Sequence, residues 1–274
     1  MKEWCIPEAD ADFVAKMEDV LEVYQRPYDP LRPVVCIDET NKQLIEEKRI
    51  PCEPGHPEKV DSVYIRNGVA DVFMICEPLA GRRETVVTQT RTALDFAQIL
   101  QYTSDTLYPR AEKIVLVTDN LNTHSPSSLY KAFPPEEARR LAERFEWHYT
   151  PKHGSWLDMA EIEIGIMSRQ ALVVHPVRKR TRGRSGIFAW QGGGRRRADA
   201  RQGRQRNHAE IPPGIWFVFW PDVPLGKPLP DLDSFKQQVR AWTARRNSKC
   251  VKISWQFKNH DARIKLARLY PTVV

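Results

Sequence analysis

Cysteine is scarce in this chain and badly spaced for chemistry. Cys5, Cys36, Cys52, Cys76 and Cys250 are odd in number, scattered over 274 residues, and never form a Cys-x-x-Cys pair. That argues against a disulfide frame or a zinc site and fits reduced thiols in a cytoplasmic protein. Long apolar runs are missing too. None approaches the roughly 18–20 residues of a membrane helix, so no membrane partner is expected. The opening MKEWCIPEADADF lacks the apolar core of a signal peptide. No internal repeat is visible. What is present excludes a wholly disordered chain: 41% hydrophobic and 9% aromatic residues supply enough apolar surface for a core. The length suits one large domain or two ordinary ones.

Acidic residues are almost absent from one stretch. Between residues 171 and 206 lie eleven basic side chains, from Arg178 to Arg206, against the single Asp199, a local charge of +10. The whole chain carries +7, so everything outside this stretch is mildly acidic. The basic character belongs to one segment and not to the protein as a whole.

Apolar periodicity orders the rest. Residues 8–25 place Phe13, Met17, Val20 and Leu21 at helical spacing behind acidic first-turn residues. Val34–Ile37 reads as a buried strand breaking into Asp38-Glu39-Thr40. Val63–Ile65 and Val69–Cys76 read as two further strands, with Arg66-Asn67-Gly68 as the turn of a hairpin. A helix is expected over Thr92–Leu107, with Leu94, Ile99 and Leu100 apolar, then a strand over Lys113–Thr118 ending in Asp119. Proline in a first turn opens a helix over Pro134–Phe145. Glu146–Tyr149 is a short strand, and Trp156–Leu172 a helix with Leu157, Ala160, Ile164 and Met167 on one face. This mixed order points to an α/β layered sheet. From Val173 to Pro230 no period is sustained, and the stretch is expected to be largely disordered or loosely attached. Pattern resumes with an amphipathic helix carrying Leu232, Phe235, Val239 and Trp242, a strand-like Val251–Trp255, and a helix around Ala262–Leu269.

Two strands thus end in aspartate, Asp38 and Asp119. A carboxylate where a buried strand emerges is rigidly held yet reaches solvent, which is where open α/β sheets build their sites. An acid from the Trp156–Leu172 helix completes an oxygen-donor set of the kind Mg²⁺ takes. Two such ions activate a water and stabilise the leaving oxygen at a phosphodiester. Strand-end acids are also common as caps and turn formers. Glu161 and Glu163 both flank the helix's apolar stripe, and periodicity does not choose between them.

The wording around these acids carries a resemblance. Val35-Cys-Ile-Asp38-Glu-Thr40, Val117-Thr-Asp119-Asn-Leu-Asn-Thr-His124 and Pro151-Lys-His-Gly-Ser-Trp156-Leu-Asp-Met-Ala-Glu161 resemble, in order, the DDE superfamily endonuclease domain. More narrowly they look like bacterial insertion-sequence transposases of the mariner-like branch. The tail from Pro230-Asp-Leu-Asp through Trp255 to Tyr270 resembles the end of that family, so the likeness spans about residues 5–172 and 229–272. It implies a ribonuclease H-like mixed sheet flanked by helices. It implies Asp38, Asp119 and Glu161 as catalytic residues and metal ligands, the family's Trp-Leu-Asn/Asp-Met-x-Glu pattern selecting Glu161 over Glu163. The implied cofactor is Mg²⁺ or Mn²⁺, two ions. The implied chemistry is hydrolysis at transposon ends, then attack of the freed 3′-OH on target DNA, by a homodimer on DNA in the cytoplasm with the nucleoid.

Nearby residues have two readings each. His124 either touches a phosphate or the metal shell, or makes structural hydrogen bonds. Lys152 and His153 contact DNA backbone or sit in a solvated loop. Glu39 faces the opposite side of its strand from Asp38 and is expected either to support the site from behind or to be structural; Trp156 is expected to pack. Two features depart from the family. About 33 residues precede the first strand, room for a linker helix but not for helix-turn-helix modules, so a separate helix-turn-helix chain is an expected partner. The basic 173–228 stretch reads as an insertion or a frame-disturbed segment, with a DNA-binding arm as the alternative. The expected organisation is a linker helix over 1–33, a catalytic domain over 34–172, the basic insertion over 173–228, and a C-terminal helical part over 229–274. A catalytically silent nucleic-acid binder and another ribonuclease H-like nuclease remain the competing functions.

Overall fold

The computed structural model describes residues 10–50, 56, 59–171 and 229–271. The expected disorder of 173–228 lies outside them.

Five strands form one sheet: β1 (Val34–Ile50), β2 (Lys59–Glu77), β3 (Arg82–Thr88), β4 (Ile114–Thr118) and β5 (Phe145–Tyr149), in the order β3-β2-β1-β4-β5. The first three are antiparallel, while β4 runs parallel to β1 and β5 parallel to β4. A three-strand meander continued by two parallel strands through helical crossovers is the ribonuclease H-like arrangement. Every residue of β4 is buried, as a central parallel strand covered on both faces must be.

Strand alternation divides the core. Val34, Cys36, Val72, Met74, Val115 and Val117 face one layer, built from α1 (Ala11–Val23), α5 (Met159–Ala171), α6 (Leu232–Ser248) and α7 (Asn259–Lys265). Val35, Ile37, Phe73, Ile75, Ile114 and Leu116 face the other, built from α2 (Ala93–Tyr102), α3 (Ser127–Ala132) and α4 (Pro135–Arg144). Phe13, Met17, Val20 and Leu21 of α1 are all buried, and so are Leu157, Ala160, Ile164 and Met167. Asp10 caps α1, and Thr92 with Asp95 makes a reciprocal capping box on α2. Phe235, Val239 and Trp242 of α6 are buried in the first layer. Among the described residues no helix is long and apolar enough to cross a membrane.

The structure departs from the sequence reading in several places. Asn67-Gly68 is not a hairpin turn, because β2 runs straight through it. Gln43 pairs with Val69 and Ile45 with Arg66, so β2 carries one extra residue here, and Gly68 at φ +104° absorbs it as a bulge. The β1–β2 ladder runs on further out, to the Ile50–Lys59 pair. Likewise β1 does not break at Asp38. Beyond Ile37 it loses β4 but keeps β2 as partner, so the apolar run ends while the strand continues. β3, charged and at the sheet edge, and the short α3 have no apolar run to announce them. The helix expected over Thr92–Leu107 is α2 followed by a π-helical turn over Thr103–Leu107, and Leu94 is exposed. Val251–Trp255 forms no strand of the sheet; the Ile253 N–H donates to the Pro78 carbonyl at 3.0 Å. The last expected helix is α7 and a 3₁₀ turn over Ala267–Leu269.

Candidate active site

Register places the first two acids. The parallel β1–β4 ladder ends at the pair Ile37–Thr118, so the next residue on each strand is Asp38 and Asp119. Neighbouring strands lie about 4.8 Å apart, and the two aspartates therefore emerge side by side where the parallel strands end. The Asp38 carboxylate accepts from the Glu39 N–H at 2.8 Å.

The third element arrives through a tight turn after β5. The Gly154 N–H donates to the Pro151 carbonyl at 2.8 Å, and His153 sits at φ 65°. A Cβ on Gly154 would lie 2.5 Å from the Pro151 ring and 2.9 Å from the Pro151 carbonyl oxygen, so no other residue fits without displacing the turn. A 3₁₀ turn over Ser155–Leu157 then leads to α5. Asp158 caps α5, its Oδ1 accepting from the Ala160 N–H at 2.8 Å, and Glu161 follows in the first helical turn.

These acids share one electrostatic environment. Burial pushes the Asp38 carboxyl up to about 8, and the charges of Glu39, Asp119 and Glu161 add to the rise. Burial also raises Glu161, against a hydrogen bond from Ser155, with Asp119 contributing. Asp158 belongs to the same group. Only 1% exposed, it is raised well above the carboxylate range by burial and then by Asp38, with smaller contributions from Glu161 and Asp119. Its Oδ2 is buried without a hydrogen-bond partner. Crowding of carboxyl groups thus works against ionisation of Asp38, Asp158 and Glu161, and a cation relieves the repulsion. Hard carboxylate oxygens suit Mg²⁺ or Mn²⁺, so the donor set fits such an ion. Among the described residues, however, no three His, Cys, Asp or Glu side chains stand ready-made around an ion position. One oxygen of the Asp119 carboxylate is engaged by a neighbouring side chain.

That engagement is with His124, which is 1% exposed. Its Nδ1 hydrogen-bonds Asp119 Oδ1 and lies 3.3 Å from Thr118 Oγ1, while its Nε2 lies 2.9 Å from Glu39 Oε2. The Phe96 ring covers the imidazole at a centroid distance of 4.3 Å. Burial works against a charge on this ring, but the hydrogen bonds and charges of Asp119 and Glu39 outweigh it and bring its pKa up to about 10. Nδ1 is thus held by a hydrogen bond to Asp119, and Nε2 faces Glu39 as an ion pair. Of the two readings of His124, the structure shows the hydrogen-bonding one. Glu39, its side chain 3% exposed, lies on the opposite side of β1 from Asp38, as its place in the strand requires. Arg91 is within 3.8 Å of both Glu39 and Asp71 at the outer rim.

Glu163 lies outside this group. It is fully buried, paired with Arg83 at 2.8 Å and with Arg246 at 2.8 Å. Arg83 also donates to the Val251 carbonyl, and its backbone is bracketed by Asn247. The Glu163 carboxylate ties α5 to β3 and α6. Trp156 packs, its ring edge-on to Phe257 at 5.9 Å; Lys152 and His153 are exposed in the turn. Asp158 is the acid that sequence reasoning passed over. Its signal was positional, a capping residue three positions before Glu161.

A ribonuclease H-like sheet with clustered acids at the carboxyl end of its parallel strands is the frame of a nuclease-type enzyme. The family model for the DDE superfamily endonuclease matches residues 33–182. The chain belongs to this family. No curated protein matches it. Among solved structures, it is similar to a Mos1 transposase paired-end complex with the left transposon end, at 16% identity over 56% of this chain and 46% of that one, TM-score 0.31. A mariner Mos1 paired-end complex with Mg matches at 16% identity, 56% and 46% coverage and TM-score 0.33. One with Mn matches at 15% identity, 60% and 51% coverage and TM-score 0.33. The chain spans about half the length of these structures, and the family assignment rests on the sequence match.

Proposed function

We propose that this chain is the catalytic domain of a transposase, cutting DNA at the ends of an insertion sequence and joining them to a target. The observation that carries the reading is the register of β1 and β4, which sets Asp38 beside Asp119 at the end of the parallel sheet, with Glu161 in the same electrostatic cluster.

Asp38, Asp119 and Glu161 would hold Mg²⁺ or Mn²⁺, two ions, which when bound supply water activation and stabilisation of the leaving 3′ oxygen. The chain's own residues prepare for this. Asp38 carries its carboxyl proton at neutral pH and releases it as the site fills, so metal capture is coupled to proton loss. Asp158 anchors the start of α5 through the Ala160 N–H and so sets where Glu161 enters. The Pro151–Gly154 turn fixes the approach of that helix to the strand ends. The proposed partners are transposon-end and target DNA and a second copy of the chain; the proposed location is the cytoplasm, with the nucleoid.

The test is nicking of the element's own end DNA with Mg²⁺ or Mn²⁺. Cleavage that requires metal and is lost in Asp38→Asn, Asp119→Asn and Glu161→Gln supports the reading. Metal-independent cleavage, or DNA binding with no cleavage under any metal, refutes it.

A further inference from the structure

We infer that His124 and Glu39 are positioning residues, a buried clamp that fixes the Asp119 carboxylate for metal capture. The inference rests on the reading of Asp119 as a metal ligand.

Asp119 follows the last residue of β4 and is about a third exposed, so its side chain has room for several rotamers. His124 Nδ1 and the Leu121 N–H, at 3.3 Å, both engage Oδ1, and Oδ2 is the oxygen neither of them uses. One carboxylate oxygen is thereby tethered, and the other is left to a cation shared with Asp38 and Glu161. The tether is itself held rigid. Glu39 takes Nε2 at 2.9 Å, Phe96 covers the ring at 4.3 Å, and Thr118 lies 3.3 Å from Nδ1. Glu39 Oε2 thus holds the far edge of the ring, which keeps Nδ1 turned toward Asp119. Hydrogen-bond partners behind a metal ligand are worth about 10- to 100-fold in metal affinity in general.

Two substitutions separate the clamp's two ends. The side-chain amide of Asn can occupy the place of Nδ1 and still donate to Asp119, while that of Gln reaches the place of Nε2 and serves Glu39 alone. In the full chain, direct Mn²⁺ titration followed by electron paramagnetic resonance should show the Kd rising about 10- to 100-fold in His124→Gln. His124→Asn should recover most of the loss. Glu39→Gln, which keeps the shape but loosens the hold on Nε2, should weaken Mn²⁺ as well. Thermal melting separates this from misfolding: a purely structural role for His124 lowers the Tm but leaves the affinity of the folded protein unchanged. If His124→Gln does not fold, Glu39→Gln and His124→Asn carry the test in the same titration. Wild-type Mn²⁺ affinity in folded His124→Gln and Glu39→Gln overturns the clamp while the site reading stands. Absence of Mn²⁺ binding in the wild type, or binding indifferent to Asp119→Asn, overturns the site reading itself.

Discussion

Replacing Asp38 by Asn should make the protein more stable while removing its chemistry. Burial and three neighbouring acids raise the Asp38 carboxyl from 3.8 to about 8. Between those values the folded protein keeps a proton that the unfolded chain has lost, so this residue's contribution to stability falls as pH rises from about 4 to 8. At about 1.4 kcal/mol per unit, the ceiling on its cost is about 4 kcal/mol at pH 7 and about 1.5 kcal/mol at pH 5. Asn is close in size, needs no proton and removes one source of repulsion on Asp158. A gain of about 2 kcal/mol at pH 7, or about 4–8 °C in Tm, is expected for a protein of this size. The assay is thermal melting of both proteins in EDTA at half-unit steps from pH 4.5 to 8.5. The Tm difference should grow through the interval and level off above pH 8. Adding Mn²⁺ should raise the wild-type Tm and leave Asp38→Asn unmoved. A difference that is flat in pH, or a variant that melts below the wild type at pH 8, would refute the buried-acid argument.

Other substitutions divide function from framework. Asp119→Asn should abolish nicking with its melting curve nearly unchanged, since the residue is partly exposed at a strand end; retained cleavage would remove it from the mechanism. Glu161→Gln should likewise remain folded and inactive, whereas Glu163→Ala strands the buried Arg83 and should cost about 3–5 kcal/mol of stability, read as a drop in the denaturation midpoint. Nicking below pH 8 should demand more Mn²⁺ as pH falls, because the cation competes with the Asp38 proton; a half-activating Mn²⁺ concentration constant between pH 6 and 8 contradicts this. Serine at the eleven basic positions between Arg178 and Arg206 should weaken non-specific DNA binding and flatten its salt dependence, measured by fluorescence anisotropy at two salt concentrations; an unchanged slope would show that these side chains do not meet phosphate.

How far the fold was legible depended on whether burial and pairing coincide. In β4 they do: Ile114–Thr118 is covered on both faces and paired on both edges, so its apolar run and its strand have nearly the same limits. In β1 they separate at Asp38, where two-sided burial stops but pairing with β2 goes on to Ile50, and apolarity alone truncates the strand. The Arg66-Asn67-Gly68 signal was chemically sound, since Gly68 does take a positive φ. That conformation serves a bulge as well as a turn, and only the partner strand decides between them. β3 was invisible because Arg83 is buried by an ion pair and not by apolar contact.

The candidate site follows the same logic. Asp38 and Asp119 could be read as a pair because each terminates a run that the core demands, and the parallel register does the rest. Glu161 and Glu163 could not be separated in this way. Two positions apart on a helix they stand on nearly opposite sides, and each borders the apolar stripe of α5. What separates them is the company on either side of the helix: Arg83 and Arg246 on one, Asp38 and Asp119 on the other. Both arginines lie about 80 residues away along the chain, and no local pattern marks either as a partner. A carboxylate taken up by two guanidiniums is neutralised and has no charge left for a cation, while one placed among other carboxylates is made to need one. The chemical difference between two identical side chains in one helix is therefore set by long-range packing, and it is the packing of α6 and β3 against α5 that leaves Glu161, and not Glu163, on the side of the aspartates.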